Sequence, residues 1–138
     1  MKVTPYLQFT DGNCREALAF YERVLGGKVT GSMNFGETPD GSPVGPEWDD
    51  KVMHAHFEAD GLALFACDSP PQWQQKPGGI ALTLTVDTPK DAERIFAALG
   101  EGGTVTMPMD ETFWATRFGM LTDRFGMPWM VSCDKPMP

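Results

Sequence analysis

Basic residues, histidine and cysteine are all scarce in this chain of 138 residues. Lys and Arg number 11 against 19 Asp and Glu, a formal net charge of -8. A groove for a phosphate backbone needs a positive field, so nucleic acid is a poor partner class. Only 3 cysteines are present, Cys14, Cys67 and Cys133, at wide spacings. An odd, scattered set makes neither a disulfide framework nor a C-x-x-C metal knuckle, and reduced thiols are expected. No apolar run approaches the ~18 residues that a membrane span needs. The opening residues Met1 to Tyr6 hold no apolar signal core, so a cytoplasmic address is expected. Hydrophobic residues make up 41% and charged residues 22%, an ordinary mix for one globular domain able to bury its own core.

The pattern along the chain predicts an α+β order that occurs twice. Val3 to Phe9 reads as a strand. Asp11-Gly12 turns the chain, and Asn13 with Glu16 has the spacing of a capping box. Ala17, Phe20, Tyr21 and Val24 then recur at helical spacing, and Gly26-Gly27 ends the helix. Lys28 to Phe35 is a second strand. A loop over 36–50 follows, punctuated by Pro39, Gly41, Pro43, Gly45 and Pro46. Lys51 to Ala59 and Leu62 to Cys67 are strands joined by the two-residue turn Asp60-Gly61. After a Pro- and Gly-rich connector over 69–79, the order repeats. Ile80 to Val86 is a strand, and Thr88-Pro89 caps a helix whose apolar stripe is Ala92, Ile95, Phe96 and Leu99. Thr104 to Met109, Phe118 to Thr122 and Trp129 to Cys133 are three more strands. One domain of two β-α-β-β-β modules is expected, about 1–68 and 80–138, with the sheets forming a curved mixed surface and the helices on its outer face.

Particular segments carry a resemblance. They are Pro5-Tyr6-Leu7-Gln8-Phe9, Glu16 to Tyr21 with Val24-Leu25-Gly26-Gly27, Val52-Met53-His54-Ala55, Ala92 to Phe96, and the stretch from Trp114 through Phe118-Gly119-Met120, Thr122 to Gly126 and Pro128-Trp129-Met130. Together they resemble the PhnB-like branch of the glyoxalase/bleomycin-resistance/dioxygenase superfamily, from about Val3 to Ser132. The resemblance implies the paired β-α-β-β-β fold and a homodimer. It leaves the chemistry open, because relatives include metal-dependent isomerases, lyases and dioxygenases as well as metal-free antibiotic-binding proteins. Some relatives carry a 3-demethylubiquinone-9 3-methyltransferase label, but this chain has no Gly-rich strand-to-helix turn to hold S-adenosylmethionine.

Metal-using relatives place His, Glu or Gln on the cavity faces of the first and last strand of each module. Side chains alternate across a strand, so parity selects the positions. With Leu7 and Phe9 packed on the helix, Thr4, Tyr6 and Gln8 face the cavity. In the second module Ala81, Thr83 and Thr85 face in. The remaining corners fall near Met130 and among Ala63, Phe65 and Cys67. Ala, Met and Phe are poor ligands for the usual divalent ions. The expectation is therefore a metal-free, mostly apolar small-molecule pocket with no cofactor. Tyr6, Gln8, His54, His56 and Met130 would line it, and Trp114 and Phe118 would close over it.

The only two histidines alternate with apolar residues in Met53-His54-Ala55-His56-Phe57-Glu58, so His54, His56 and Glu58 share one face. The Asp60-Gly61 turn pairs Ala59 with Leu62, which sets His56 opposite Phe65 and His54 opposite Cys67. Three readings stand for this cluster. The plain one is a hydrogen-bonding His beside a small buried Cys. The second is ligand or acid–base contact through His54 or His56. The third is a displaced divalent-metal site of a lyase, isomerase or dioxygenase, using His54, His56, Glu58 and Cys67. A non-catalytic dimeric role is a further alternative, and no catalytic residue is assigned.

Overall fold

The computed structural model describes residues 1–74 and 78–136. The chain divides into two compact units, Met1–Lys76 and Pro77–Pro138. In the first, β1 (Tyr6–Phe9), α1 (Cys14–Leu25), β2 (Lys28–Asn34), β3 (Val52–Ala59) and β4 (Leu62–Asp68) build a sheet in the order β1-β4-β3-β2. In the second, β5 (Leu82–Thr85), α2 (Pro89–Leu99), β6 (Thr104–Asp110), β7 (Ala115–Thr122) and β8 (Pro128–Asp134) build a sheet in the order β5-β8-β7-β6. Each sheet is mixed: β1 runs parallel to β4 and β5 to β8, while the other pairs are antiparallel. The twice-repeated β-α-β-β-β order is therefore present. Of the connector expected over 69–79, residues 75–77 lie outside the described residues; Pro71–Trp73 forms a 3-10 turn.

Alternation decides which side of each sheet meets its helix. Leu7 and Phe9 on β1, Ala55 and Phe57 on β3, and Leu64 and Ala66 on β4 are all buried. Against them α1 sets Ala17, Leu18, Phe20, Tyr21 and Val24, with Tyr21 edge-on to Phe57 at 6.4 Å between ring centres. Each such large apolar side chain contributes about 1.5–3 kcal/mol when fully buried. In the second unit Trp129, Val131 and Leu121 are buried with Ala92, Phe96 and Leu99 of α2. Gly119 sits where α2 comes closest, since a Cβ there would lie 2.7 Å from the Phe96 ring and 2.6 Å from the Met109 sulfur.

The two helices start differently. Thr88 caps α2 as expected, its hydroxyl accepting the Asp91 N–H at 3.1 Å, with Pro89 in the first turn. The capping box expected at Asn13 and Glu16 does not form: Asn13 makes no side-chain cap. The Cys14 N–H is instead taken by Asp68 from the end of β4, at 2.8 Å. The other oxygen of that carboxylate accepts the Val52 N–H at 2.9 Å, at the start of β3. Asp68 is only 1% exposed, so this long-range cap satisfies two backbone donors that water does not reach.

A second buried aspartate closes the β7–β8 turn. Asp123 accepts N–H groups from Phe125 at 2.9 Å and Met127 at 3.0 Å, and its other oxygen takes the Trp129 indole N–H at 2.8 Å. It is a turn former and also the hydrogen-bond partner of a core tryptophan. The long loop is pinned too. Phe35 is buried under Trp48 and Trp73, with ring centres at 5.8 and 6.1 Å, so these two tryptophans pack on the first unit's own loop.

Asp68→Ala is expected to lower the unfolding free energy by about 2–4 kcal/mol, because it strands two buried N–H groups. Asp11→Ala, at an exposed turn, should stay within about 0.5 kcal/mol of the parent. Urea unfolding of both variants decides this, and equal effects would refute the long-range cap.

Candidate functional site

Each sheet has one face on its helix and one face open, and the expected site residues fall on the open faces. In the first unit, register places Tyr6 beside Phe65 and Gln8 beside Cys67. The hairpin places Phe65 beside His56, as the two-residue turn predicts. Tyr6, Gln8, His54 and His56 are therefore on one face.

Three of these side chains are joined. The Tyr6 hydroxyl lies 3.1 Å from Nδ1 of His54, and Nε2 of His54 lies 2.7 Å from Nε2 of His56. The imidazoles meet edge to face, 4.7 Å between centres. Phe65 forms the floor, its ring centre 4.5 Å from His56, 5.2 Å from His54 and 6.0 Å from Tyr6. Gln8 is exposed beside Cys67 and takes no part in this string.

Electrostatics disfavours charge on Tyr6 and His54. Burial lowers the pKa of His54, and repulsion from a charged His56 lowers it further. The Tyr6 phenol is raised, first by burial and then by the neighbouring Cys67 sulfur. Burial also raises the Cys67 thiol; the neighbouring Tyr6 lowers it in part, and the Asp68 carboxylate raises it again. The arrangement suits hydrogen bonding to a ligand through the imidazoles.

The metal alternative fares differently. Among the described residues, no group of three or more His, Cys, Asp or Glu side chains comes together to hold a metal ion. His54, His56, Glu58 and Cys67 are thus not a ligand set. Glu58 instead pairs with Lys28 and Ala63 across the sheet, and it borders a separate recess of ≈ 460 Å³ shared with Lys2, Pro5 and Leu62.

The second unit's open face is apolar. Met130 of β8 lies between Thr83 of β5 and Met120 of β7, and Met107 of β6 lies beyond Met120. Three thioethers therefore stand in a row across adjacent strands. Phe118 pairs with Ser132 and meets Trp114 at 5.3 Å, which in turn meets Phe113 at 4.8 Å. Phe113 is 89% exposed. Sequence reasoning placed Met130, Trp114 and Phe118 at the pocket but not Met107, Met120 or Phe113. Parity on either side of the Asp123–Gly126 turn would have paired Met120 with Met130. Met107 required the irregularity between Val105 and Met107 in β6, which no residue pattern announces.

A four-stranded mixed sheet with one helix, built twice in β-α-β-β-β order, defines the vicinal-oxygen-chelate class of folds. The chain belongs to the Glyoxalase/Bleomycin resistance protein/Dioxygenase superfamily, whose family model matches residues 4–131. It is 34% identical to Protein YjdN of Escherichia coli (strain K12) over 146 aligned positions, spanning 100% of this chain and 99% of YjdN. The crystal structure of protein PA1353 from Pseudomonas aeruginosa is similar, at TM-score 0.86 and 44% identity over 99% of both chains. A Bacillus cereus structure described as a putative 3-demethylubiquinone-9 3-methyltransferase, PhnB protein, shares the fold at TM-score 0.78 and 24% identity, over 96% of this chain and 99% of that one.

A His whose folded pKa is lowered binds fewer protons folded than unfolded. Its contribution to stability is present above the unfolded value of about 6.5 and is lost as pH falls from there through the lowered folded value. Thermal unfolding followed from neutral to mildly acidic pH should show that loss. His54→Gln should flatten it, and an unchanged slope in the variant would contradict the lowered pKa.

Proposed function

We propose that this chain is a metal-independent small-molecule binding protein of its superfamily, with a mostly apolar binding surface and no cofactor. Tyr6, Gln8, His54 and His56 supply polar contacts to the ligand, and Met130, Trp114 and Phe118 supply apolar ones. The observation that carries this reading is the donor set: the open faces offer aromatic rings, thioethers and imidazoles, and no three metal-ligating side chains among the described residues converge. Thioethers adapt to irregular apolar shapes, which suits a ligand surface.

The protein works as a homodimer in the cytoplasm. Large apolar side chains exposed on the second unit, Ile80, Val105 and Phe113 among them, support association, which would take them out of water. The free state of all three cysteines supports a reducing compartment. No helix among the described residues is long and apolar enough to cross a membrane.

The test combines metal analysis with a binding assay. Protein treated with a chelator should keep its melting temperature and its affinity for an apolar fluorescent dye, and added Zn, Mn or Ni should raise neither. Met130→Asp should weaken dye binding about tenfold, equivalent to about 1.4 kcal/mol. One tightly held metal ion per chain would overturn the reading. Light scattering should give about twice the 15.2 kDa of one chain, and a monomer at micromolar concentration would remove the dimer from the proposal.

A further inference from the structure

We infer that Trp114 and Phe118, together with the carboxylates of Asp110 and Asp134, hold the alkylammonium group of an amphiphilic organic cation whose apolar body lies along the methionine row; this rests on the reading that the second unit's open face meets a ligand, and it adds the charge that the ligand carries.

Sheet register brings these side chains together. Residues directly opposite on antiparallel strands share a face, with Cβ atoms about 5 Å apart. Asp110 of β6 pairs with Phe118 of β7, and Phe118 pairs with Ser132 of β8. Phe118 points to the open face, because its neighbour Gly119 is the residue that meets Phe96 of α2. Asp110, Phe118 and Ser132 thus form one row across the sheet. Asp134 lies two residues beyond Ser132, which returns it to the same face. The Ser132 hydroxyl donates to the Asp134 carboxylate, and Ser132 is only 3% exposed. On the other flank, one oxygen of Asp110 accepts the Glu111 N–H at 2.8 Å. Phe118 therefore has an anchored carboxylate on either side.

The aromatic part is a corner. Trp114 meets Phe118 at 5.3 Å between ring centres and 70° between planes, so the two rings stand as adjoining walls. Phe113 braces Trp114 at 4.8 Å and 80°. Trp114 remains 44% exposed. The face of an aromatic ring is the negative side of its quadrupole, and indole attracts cations most strongly of the three aromatic side chains.

Charge selects the ligand. The basic residues nearest in sequence are engaged by other carboxylates, Arg117 by Glu93 at 3.0 Å and Lys135 by Glu111 at 2.8 Å. Among the described residues, neither Asp110 nor Asp134 forms an ion pair. Two such carboxylates repel an anion. Covering them with a neutral apolar group costs their hydration and returns nothing. An alkylammonium answers both parts of the site: its charge is balanced by the carboxylates, and its polarised methyl or methylene groups rest on the rings. Met120 lies two residues beyond Phe118, Met130 lies two before Ser132, and the two thioethers pair with each other. An apolar tail therefore has a continuous surface beside the charged end. The chain's net charge of -8 also raises the local concentration of cations.

The test is displacement of the apolar dye from the full-length protein by phenyltrimethylammonium and by tert-butylbenzene, which has the same shape without the charge. The cation should displace the dye at about tenfold lower concentration, and added salt should narrow that gap. Asp110→Asn and Asp134→Asn should each narrow it about threefold. Trp114→Phe, which keeps a ring, should retain most of the preference, and Trp114→Leu should abolish it. Equal displacement by the two probes from a parent that binds the dye overturns the cation site and leaves the ligand surface standing. A preference that persists in Trp114→Leu and in both Asn variants overturns the assignment to these residues. A parent that binds no dye overturns the ligand surface and this site with it.

Discussion

The first unit is organised by a single buried carboxylate. Asp68 ends β4 beside the end of β1, and from there it holds the first N–H of α1 and the first N–H of β3. A buried charge costs several kcal/mol of lost hydration unless its lone pairs are filled; here two backbone donors fill them. The geometry of the open face follows from that anchor. His54 lies two residues beyond Val52, Cys67 directly precedes Asp68, and Tyr6 lies three residues before Phe9, the register partner of Asp68. The residues most suited to chemistry are thus close in sequence to the most tightly constrained point in the unit.

The same architecture yields two open faces of opposite character. The first is aromatic and polar, with imidazoles held over Phe65. The second is a row of thioethers flanked by indole and phenyl rings. Among the described residues, neither brings three or more His, Cys, Asp or Glu side chains together. In each unit the helix-facing parity is committed to the core, and the other parity carries the side chains available for binding.

The extent to which this was legible in sequence depended on how local each determinant is. The start of α2 was readable because Thr88, Pro89 and Asp91 are adjacent. The start of α1 was misread because its cap comes from a distant strand, and Asn13 with Glu16 is a local pattern that tertiary structure overrode. The placement of His56 opposite Phe65 was readable because Asp60-Gly61 allows a single hairpin register. The bond from Tyr6 to His54 was not, since it depends on how β1 aligns with β4 across the intervening helix and strands. Parity correctly assigned Gln8, His54 and His56 to one face. Parity carries no distance, and it could not show that the two imidazoles touch while Glu58 turns to another recess.

The remote cap also bears on how the chain is made. The cap of α1 spans 54 residues, whereas α2 closes its own start within three. A polypeptide leaving the ribosome N-terminus first therefore exposes α1 with an unsealed end until nearly half the protein has emerged. The later helix can nucleate as soon as its first turn is out. Closing a long loop before any reward is slow, so the half synthesised first is the one that must wait, and chaperone contact during translation would fall on the α1 segment.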